Sequence, residues 1–149
     1  STRAYVTVGF IWFYILLGFL WLWSKGLALN LITLGEDAAM HLGVEPGALQ
    51  RQIFIASSLM IGAMVSVSGM IGFVGLMVPH VMRLLIGSDH RLLLAASFLA
   101  GGIFLCWADT LARVLLAPAE LPVGIVTAFF GAPFFLFLLY REGRRSLAL

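Results

Sequence analysis

The chain has 149 residues, 62% of them hydrophobic and 11% charged, with a net charge of +2 and a mean hydropathy of +1.06. A soluble domain carries about 25% charged residues, so this composition excludes a water-exposed globule and points to a bilayer as solvent. The single cysteine, Cys106, lies inside an apolar run, which excludes a disulfide framework and a thiolate metal site. No cofactor, no metal site and no nucleic-acid partner is expected.

The first apolar run, Tyr5–Trp23, is rich in aromatic residues. As a helix its nineteen residues reach about 28 Å, close to the ~30 Å thickness of the hydrocarbon core. A signal peptide has a shorter core, roughly 7–15 residues, followed by a small-residue cleavage site, so this run is read as a span. The chain enters it almost at once from Ser1, and upstream residues are therefore expected. Trp21, Trp23 and Lys25 fit an interfacial belt. Ser24 to Asn30 is expected to be a turn or an interfacial segment.

Next comes Leu34–Arg51, LGEDAAMHLGVEPGALQR, the longest polar interruption of the chain. It holds Glu36, Asp37 and Glu45, three of the seven acidic residues. Its middle reads as a short helix of small residues, closed by Gly43 and restarted after Pro46-Gly47. Adjacent Glu36 and Asp37 point in different directions, which suits a helix N-terminus better than an acid–base pair. A second span, from Ile53 to about Val67, carries Ala56, Ser57, Gly62, Ala63 and Ser66, small residues of the kind that mark helix-facing sides in lipid. An apolar, glycine-spaced reversal over Ser68–Gly75 leads to a short third span, about Phe73–Ile86. Pro79 in that span removes a backbone donor, which is tolerated at membrane depth only where protein or water satisfies the freed groups. Gly87–Arg91 is a polar turn in which Ser88 or Asp89 can cap the following helix. A fourth span covers Leu92–Leu116 and a fifth Val123–Tyr140, before Arg141, Arg144 and Arg145.

Five spans put the chain ends on opposite sides. One side collects Lys25, Arg51, Arg83, Arg91, Arg141, Arg144 and Arg145; the other holds Arg3 and Arg113. Seven against two makes the first side cytoplasmic, together with Leu34–Arg51 and the C-terminus.

Few side chains offer chemistry. Asp109 and Arg113 stand four apart and can pair on one helix face. They read as a structural ion pair, as part of an ion relay, or as an outward docking charge. His80 follows Pro79, and reads either as a proton-handling group or as a side chain bonding the backbone that the proline frees. The fifth span's Phe129, Phe130, Phe134, Phe135 and Phe137 face lipid or line a passage. His41 and His90 do not pair with a second ligand at helical spacing. No GxxxxGK[ST], GxSxG, HExxH or CxxC motif occurs, so active transport would need an external motor or an ion gradient.

Several ordered segments are distinctive: GEDAAMHLGV (Gly35–Val44), GFVGLMVPHVMRLL (Gly72–Leu85) with its SDHR turn, ADTLAR (Ala108–Arg113), and APAELPVGIVTAFFGAPFF (Ala117–Phe135). Together they resemble the FecCD-type permease subunits of ABC importers for iron-siderophores, haem and cobalamin, from about Gly35 to Arg141. The resemblance implies an all-α, polytopic transmembrane bundle. The chain would form the five-span C-terminal half of a ten-helix type II ABC importer permease, as one membrane domain over residues 1–149. It implies a multi-pass protein of the bacterial inner membrane that is not itself an enzyme. The implied partners are a second permease subunit, a cytoplasmic ATP-binding subunit, and a periplasmic or lipoprotein substrate-binding protein. It further implies that residues 34–51 form two short cytoplasmic coupling helices, with Gly35, Glu36, Ala38, Ala39, Leu42 and Gly43 at the ATPase contact. Arg113 would dock the binding protein, oriented by Asp109. Pro79, His80, Phe130 and Phe134 would serve structure or pathway. The implied function is ATP-driven import of an iron-siderophore or related metal chelate by alternating access. The alternative is an ion-driven secondary transporter or a membrane enzyme subunit using Asp109 and His80.

Overall fold

A computed structural model describes residues 2–147. These residues form seven α-helices: α1 (Thr2–Ser24), α2 (Gly26–Thr33), α3 (Glu36–His41), α4 (Pro46–Ser68), α5 (Val74–Ile86), α6 (His90–Leu115) and α7 (Val123–Leu147). The expected all-α, polytopic architecture is what the chain adopts. Four helices, α1, α4, α6 and α7, are long and apolar enough to cross a membrane. At 1.5 Å per residue the 23 residues of α1 and α4 reach about 35 Å. Helix α5 has 13 residues, about 20 Å, which falls short of the ~30 Å hydrocarbon core. The expectation of five spans is therefore approximate: four full-length helices and one short one.

Three local points differ in detail from expectation. Of the two readings of Ser24–Asn30, a turn or an interfacial segment, the turn does not hold: the segment is helical from Gly26, and the amide of Leu29 bonds the carbonyl of Lys25 at 3.0 Å. The segment Gly-Leu-Ala-Leu-Asn-Leu-Ile-Thr is dominated by good helix formers, and its Asn30 has partners described below. The second short helix of the polar stretch does not form separately. Pro46, with its fixed φ, occupies the first position of α4 after an extended Glu45 (φ −89°, ψ 108°), so that segment continues into the long helix. Finally, α7 does not stop at Tyr140 but remains helical through its three arginines to Leu147.

The chain divides into two units, each with its own contacts. One comprises the chain up to Gly69 together with Ser88–Ala95; the other comprises Met70–Gly87 and the chain from Ala96 onward. In the first unit α1 packs along α4, and α3 packs against α2 and α4. Buried Met60 of α4 lies so close to Gly18 of α1 that a Cβ there would stand 2.6 Å from its sulfur. Ala39, Leu49 and Met60 are buried here, whereas no residue of α1 is buried. Its Tyr5, Phe10, Trp12 and Phe13 are exposed, as expected of a surface that meets lipid or other protein rather than water.

In the second unit α5 packs on α7. Ala108 and Ala112 of α6 and Val126 of α7 form a small buried cluster, flanked by Leu111, Leu121 and Val123. The non-helical segment before α5 lies on a stripe of small residues of α7. A Cβ on Gly124 would meet the carbonyl oxygen of Met70 at 2.5 Å, and one on Gly131 would collide with the side chain of Phe73. Thr127, between them on the same face, is fully buried and donates its hydroxyl to the carbonyl of Gly124 at 3.0 Å. Positions 124, 127 and 131 thus follow the i, i+3, i+7 spacing of one helix face. Phe73 takes a left-handed conformation (φ 66°) as it turns the chain into α5, and its ring meets that of Phe135, 6.4 Å between centroids.

Candidate functional site

In the first unit, the polar stretch builds one short helix, α3, with a glycine at each end. Gly35 precedes it at φ 126°, ψ 145°, a conformation open to glycine and to few other residues. Glu36 and Asp37 occupy the first turn, where negative charge is favoured by the helix dipole. At the other end Gly43 has φ 84°. Its amide donates to the carbonyl of Met40 at 3.0 Å, and the amide of Val44 donates to that of Ala39 at 2.9 Å. That pair of bonds is a Schellman stop, with glycine at the left-handed position it requires. Both glycines therefore act through backbone shape.

The remaining residues of α3 divide by exposure. Ala39 is fully buried and anchors the helix within the unit; Ala38 is half-buried. Glu36, Asp37, Met40, His41 and Leu42 are exposed, Met40 by 54% and Leu42 by 63%. Leu34, at the end of α2, is 73% exposed. It borders an open hollow of about 470 Å³ lined also by Leu27, Asn30, Leu31, Thr33, Ser88 and Asp89. Of the six residues expected at a contact, Glu36 and Leu42 present side chains, Ala38 is half-buried, Gly35 and Gly43 shape the loop, and Ala39 faces inward. Leu34 and Met40 are exposed beside them, which the sequence does not signal, because one more apolar side chain does not stand out in an apolar chain.

A polar latch in the same unit also went unnoticed. It joins α1 and α2 to the turn before α6. The Asn30 amide nitrogen donates to Asp89 Oδ1 at 2.8 Å. Its Oδ1 accepts the His90 backbone N–H and the His90 Nδ1–H, both at 2.8 Å. A backbone donor on one side and a carboxylate on the other fix which way the amide faces, and they fix the histidine tautomer. Asp89 Oδ1 also accepts the Arg91 amide at 3.1 Å, while the Asp89 carbonyl accepts the Leu93 amide at 2.8 Å. Asp89 thus caps α6, one of the two candidates for that role. The hydrogen bond from Asn30, and next that from Arg91, hold its exposed carboxyl below its ordinary pKa. Trp23 donates its indole N–H to the Arg91 carbonyl at 3.0 Å, and the Arg91 guanidinium sits over the Trp23 ring, 5.1 Å from its centre. At Gly26 a Cβ would lie 2.5 Å from Arg91 Cγ and 3.1 Å from its backbone. Trp23, Gly26 and Asn30 form another i, i+3, i+7 stripe.

In the second unit Arg113 Nε donates to Asp109 Oδ2 at 2.9 Å, the pairing that their spacing allowed. The Arg113 side chain is 68% exposed, and the bond uses one of the guanidinium's five N–H donors. The ring of His80 stands edge-on to that of Phe134, 5.9 Å between centroids. Among the described residues the His80 side chain makes no hydrogen bond, so its ring does not satisfy the backbone that Pro79 frees; its contact is aromatic. Phe130 belongs to an aromatic ladder, 5.4 Å from Trp107 and 5.6 Å from Phe129, with Phe104 6.3 Å from Trp107. No group of three or more His, Cys, Asp or Glu residues placed to hold a metal ion occurs among the described residues.

The features define a class: a polytopic helical membrane protein with a short, glycine-bracketed helix outside its long apolar ones. Residues 1–141 match the FecCD transport family, and the chain belongs to it. It is 50% identical over 114 residues to the hemin transport system permease protein HmuU of Yersinia pestis, covering 76% of this chain and 34% of the relative. It is 50% identical over 136 residues to the ABC transporter permease protein YvrB of Bacillus subtilis, covering 90% and 38%. It is 44% identical over 125 residues to the vitamin B12 import system permease protein BtuC of Salmonella typhi, covering 84% and 38%. A solved metal-chelate type ABC transporter in an inward-facing conformation superposes with a TM-score of 0.83 at 37% identity, over 91% of this chain and 45% of that one. The chain thus spans little more than a third of the length of the curated relatives it matches.

Proposed function

We propose that the chain is the C-terminal part of the permease of an ATP-driven ABC importer for a metal chelate, such as an iron-siderophore. Three of the four names given above share one chemistry, a large organic ligand carrying a metal ion: hemin, vitamin B12, a metal chelate. The chelate is cargo. The permease itself forms and breaks no covalent bond; it contributes contacts that differ between two states. In this reading it is a multi-pass protein of the bacterial inner membrane with a cytoplasmic C-terminus, and it pairs with a second permease subunit around a shared pathway. Phe130 and Phe134 then belong to a wall near that pathway, held by Trp107 and His80 respectively.

The observation that carries the proposal is the geometry of α3. A six-residue helix is too short to be stable by itself. This one is held in place by buried Ala39 and stopped by Gly43, while it presents Met40 and Leu42 outward. Such a helix suits the groove of a cytoplasmic ATP-binding subunit. When ATP closes the two ATPase subunits, α3 is carried with them, and the permease rocks between outward-open and inward-open states. In the same reading Arg113, oriented by Asp109, offers its remaining donors to acidic residues of the substrate-binding protein.

Site-specific photo-crosslinking tests the reading in the full-length permease. A photoreactive phenylalanine at position 42 should capture the ATP-binding subunit, and one at position 113 the substrate-binding protein. Capture of the substrate-binding protein from position 42 would overturn both the orientation and the role of α3.

A further inference from the structure

We infer that Asn30 is a positioning residue for transport, passing the displacement of α3 to the first turn of α6. This inference rests on the reading of α3 as the element that docks the ATP-binding subunit.

The argument begins with connectivity. Only Leu34 and Gly35 separate α2 from α3, and the two helices pack on each other. Ala39 is enclosed. A push on α3 therefore moves α2. Helix α2 in turn grips the start of α6 through contacts of different kinds. Gly26 sets distance by steric fit against Arg91, while Trp23, at the end of α1, hydrogen-bonds the Arg91 carbonyl. Apolar and steric contact resists approach but has little directionality. Asn30 adds direction. Both ends of its amide are bonded, the oxygen to His90 and the nitrogen to Asp89. These two residues are the cap and the first helical residue of α6, and they carry the orphan backbone groups that define where a helix starts. Hydrogen bonds with near-fixed geometry at a helix start resist rotation and withdrawal as well as compression. An apolar residue at position 30 would leave the Asp89 carboxylate and the His90 amide without this partner.

The test uses the full-length permease assembled with its ATP-binding subunit in nanodiscs. Hydrogen exchange is followed in peptides covering residues 87–95, in the nucleotide-free and vanadate-trapped states. In the wild type, exchange across the first turn of α6 should change by about fivefold or more between the two states. Asn30→Asp sets a second carboxylate against Asp89. It should reduce this response to less than about twofold while ATPase docking is retained. The double exchange Asn30→Asp with Asp89→Asn again faces one amide with one carboxylate, and should restore the response. A residue that only stabilises the fold would shift the melting midpoint and leave the nucleotide response intact in Asn30→Asp; that result overturns the inference. Failure of the double exchange to restore the response overturns it as well. Met40→Glu with Leu42→Glu is run alongside. If docking survives that pair, the reading of α3 itself falls. If docking is lost there, yet Asn30→Asp keeps the full response, only the inference about Asn30 falls.

Discussion

Truncating the exposed apolar tip of α3 should detach the ATP-binding subunit without unfolding the permease. Complete burial of a leucine or methionine side chain stabilises by about 1.5–3 kcal/mol. Met40 and Leu42 still expose 54% and 63% of their surface. Scaling by those fractions leaves about 1–2 kcal/mol for each to gain on docking. Met40→Ala with Leu42→Ala should thus weaken docking by about 2–3.5 kcal/mol, roughly 30- to 300-fold in Kd. The assay is equilibrium binding of the purified ATP-binding subunit to full-length permease in nanodiscs, with the permease melting midpoint as a control. Both side chains are more than half exposed within the chain, so the midpoint should move less than the docking energy does. An affinity within about threefold of wild type would refute the assignment of this face. Gly43 is a poor probe for the same purpose. At φ 84° any substitution strains the helix stop, and would disturb α3 whether or not a partner binds there.

Other consequences can be measured separately. Gly131→Ala places a methyl against Phe73 and should destabilise the permease by about 1–3 kcal/mol; an unchanged melting midpoint would remove the α7 stripe from the packing argument. Arg113→Glu sets a carboxylate beside Asp109 and should weaken binding of the substrate-binding protein about tenfold or more at low salt; unchanged affinity rules out its docking role. The folded-state pKa of Asp89 is depressed, so its contribution is complete above the ordinary carboxylate value of about 3.9 and fades as pH falls through the lower folded value. The difference in melting midpoint between wild type and Asp89→Asn should therefore be present at about pH 6 and shrink below about pH 4. A difference that grows with acid would contradict the latch.

What could be read in the sequence follows from what the bilayer demands. About twenty apolar residues are needed to cross it, so α1, α4, α6 and α7 stand out by composition. The same rule overcounts α5, whose apolar residues continue into a non-helical segment lying on Gly124 and Gly131 of α7. The i, i+4 pairing of Asp109 with Arg113 was legible because it is local. The latch was not, because Asn30 and Gly26 are explained by residues 59 to 65 positions away. Taken locally, a glycine and an asparagine suggest a turn; with Asp89 and Arg91 as partners they fit a helix. Within α3 the small residues drew attention as contact candidates. Burial reverses that weighting: Ala39 is enclosed, and the larger Met40 and Leu42 face outward. The three FecCD-like stretches over α5, α6 and α7 were legible for another reason, since order and spacing of whole segments carry more information than any one residue.

The most direct measurement is uptake by the full-length permease, reconstituted in proteoliposomes with its ATP-binding and substrate-binding proteins. Ferric hydroxamate, hemin and cyanocobalamin are each supplied outside, with ATP inside and ionophores clamping all ion gradients. ATP-dependent accumulation of at least one of them, lost on removing ATP, is the predicted result. Uptake that ignores ATP and follows an imposed proton or sodium gradient would contradict it.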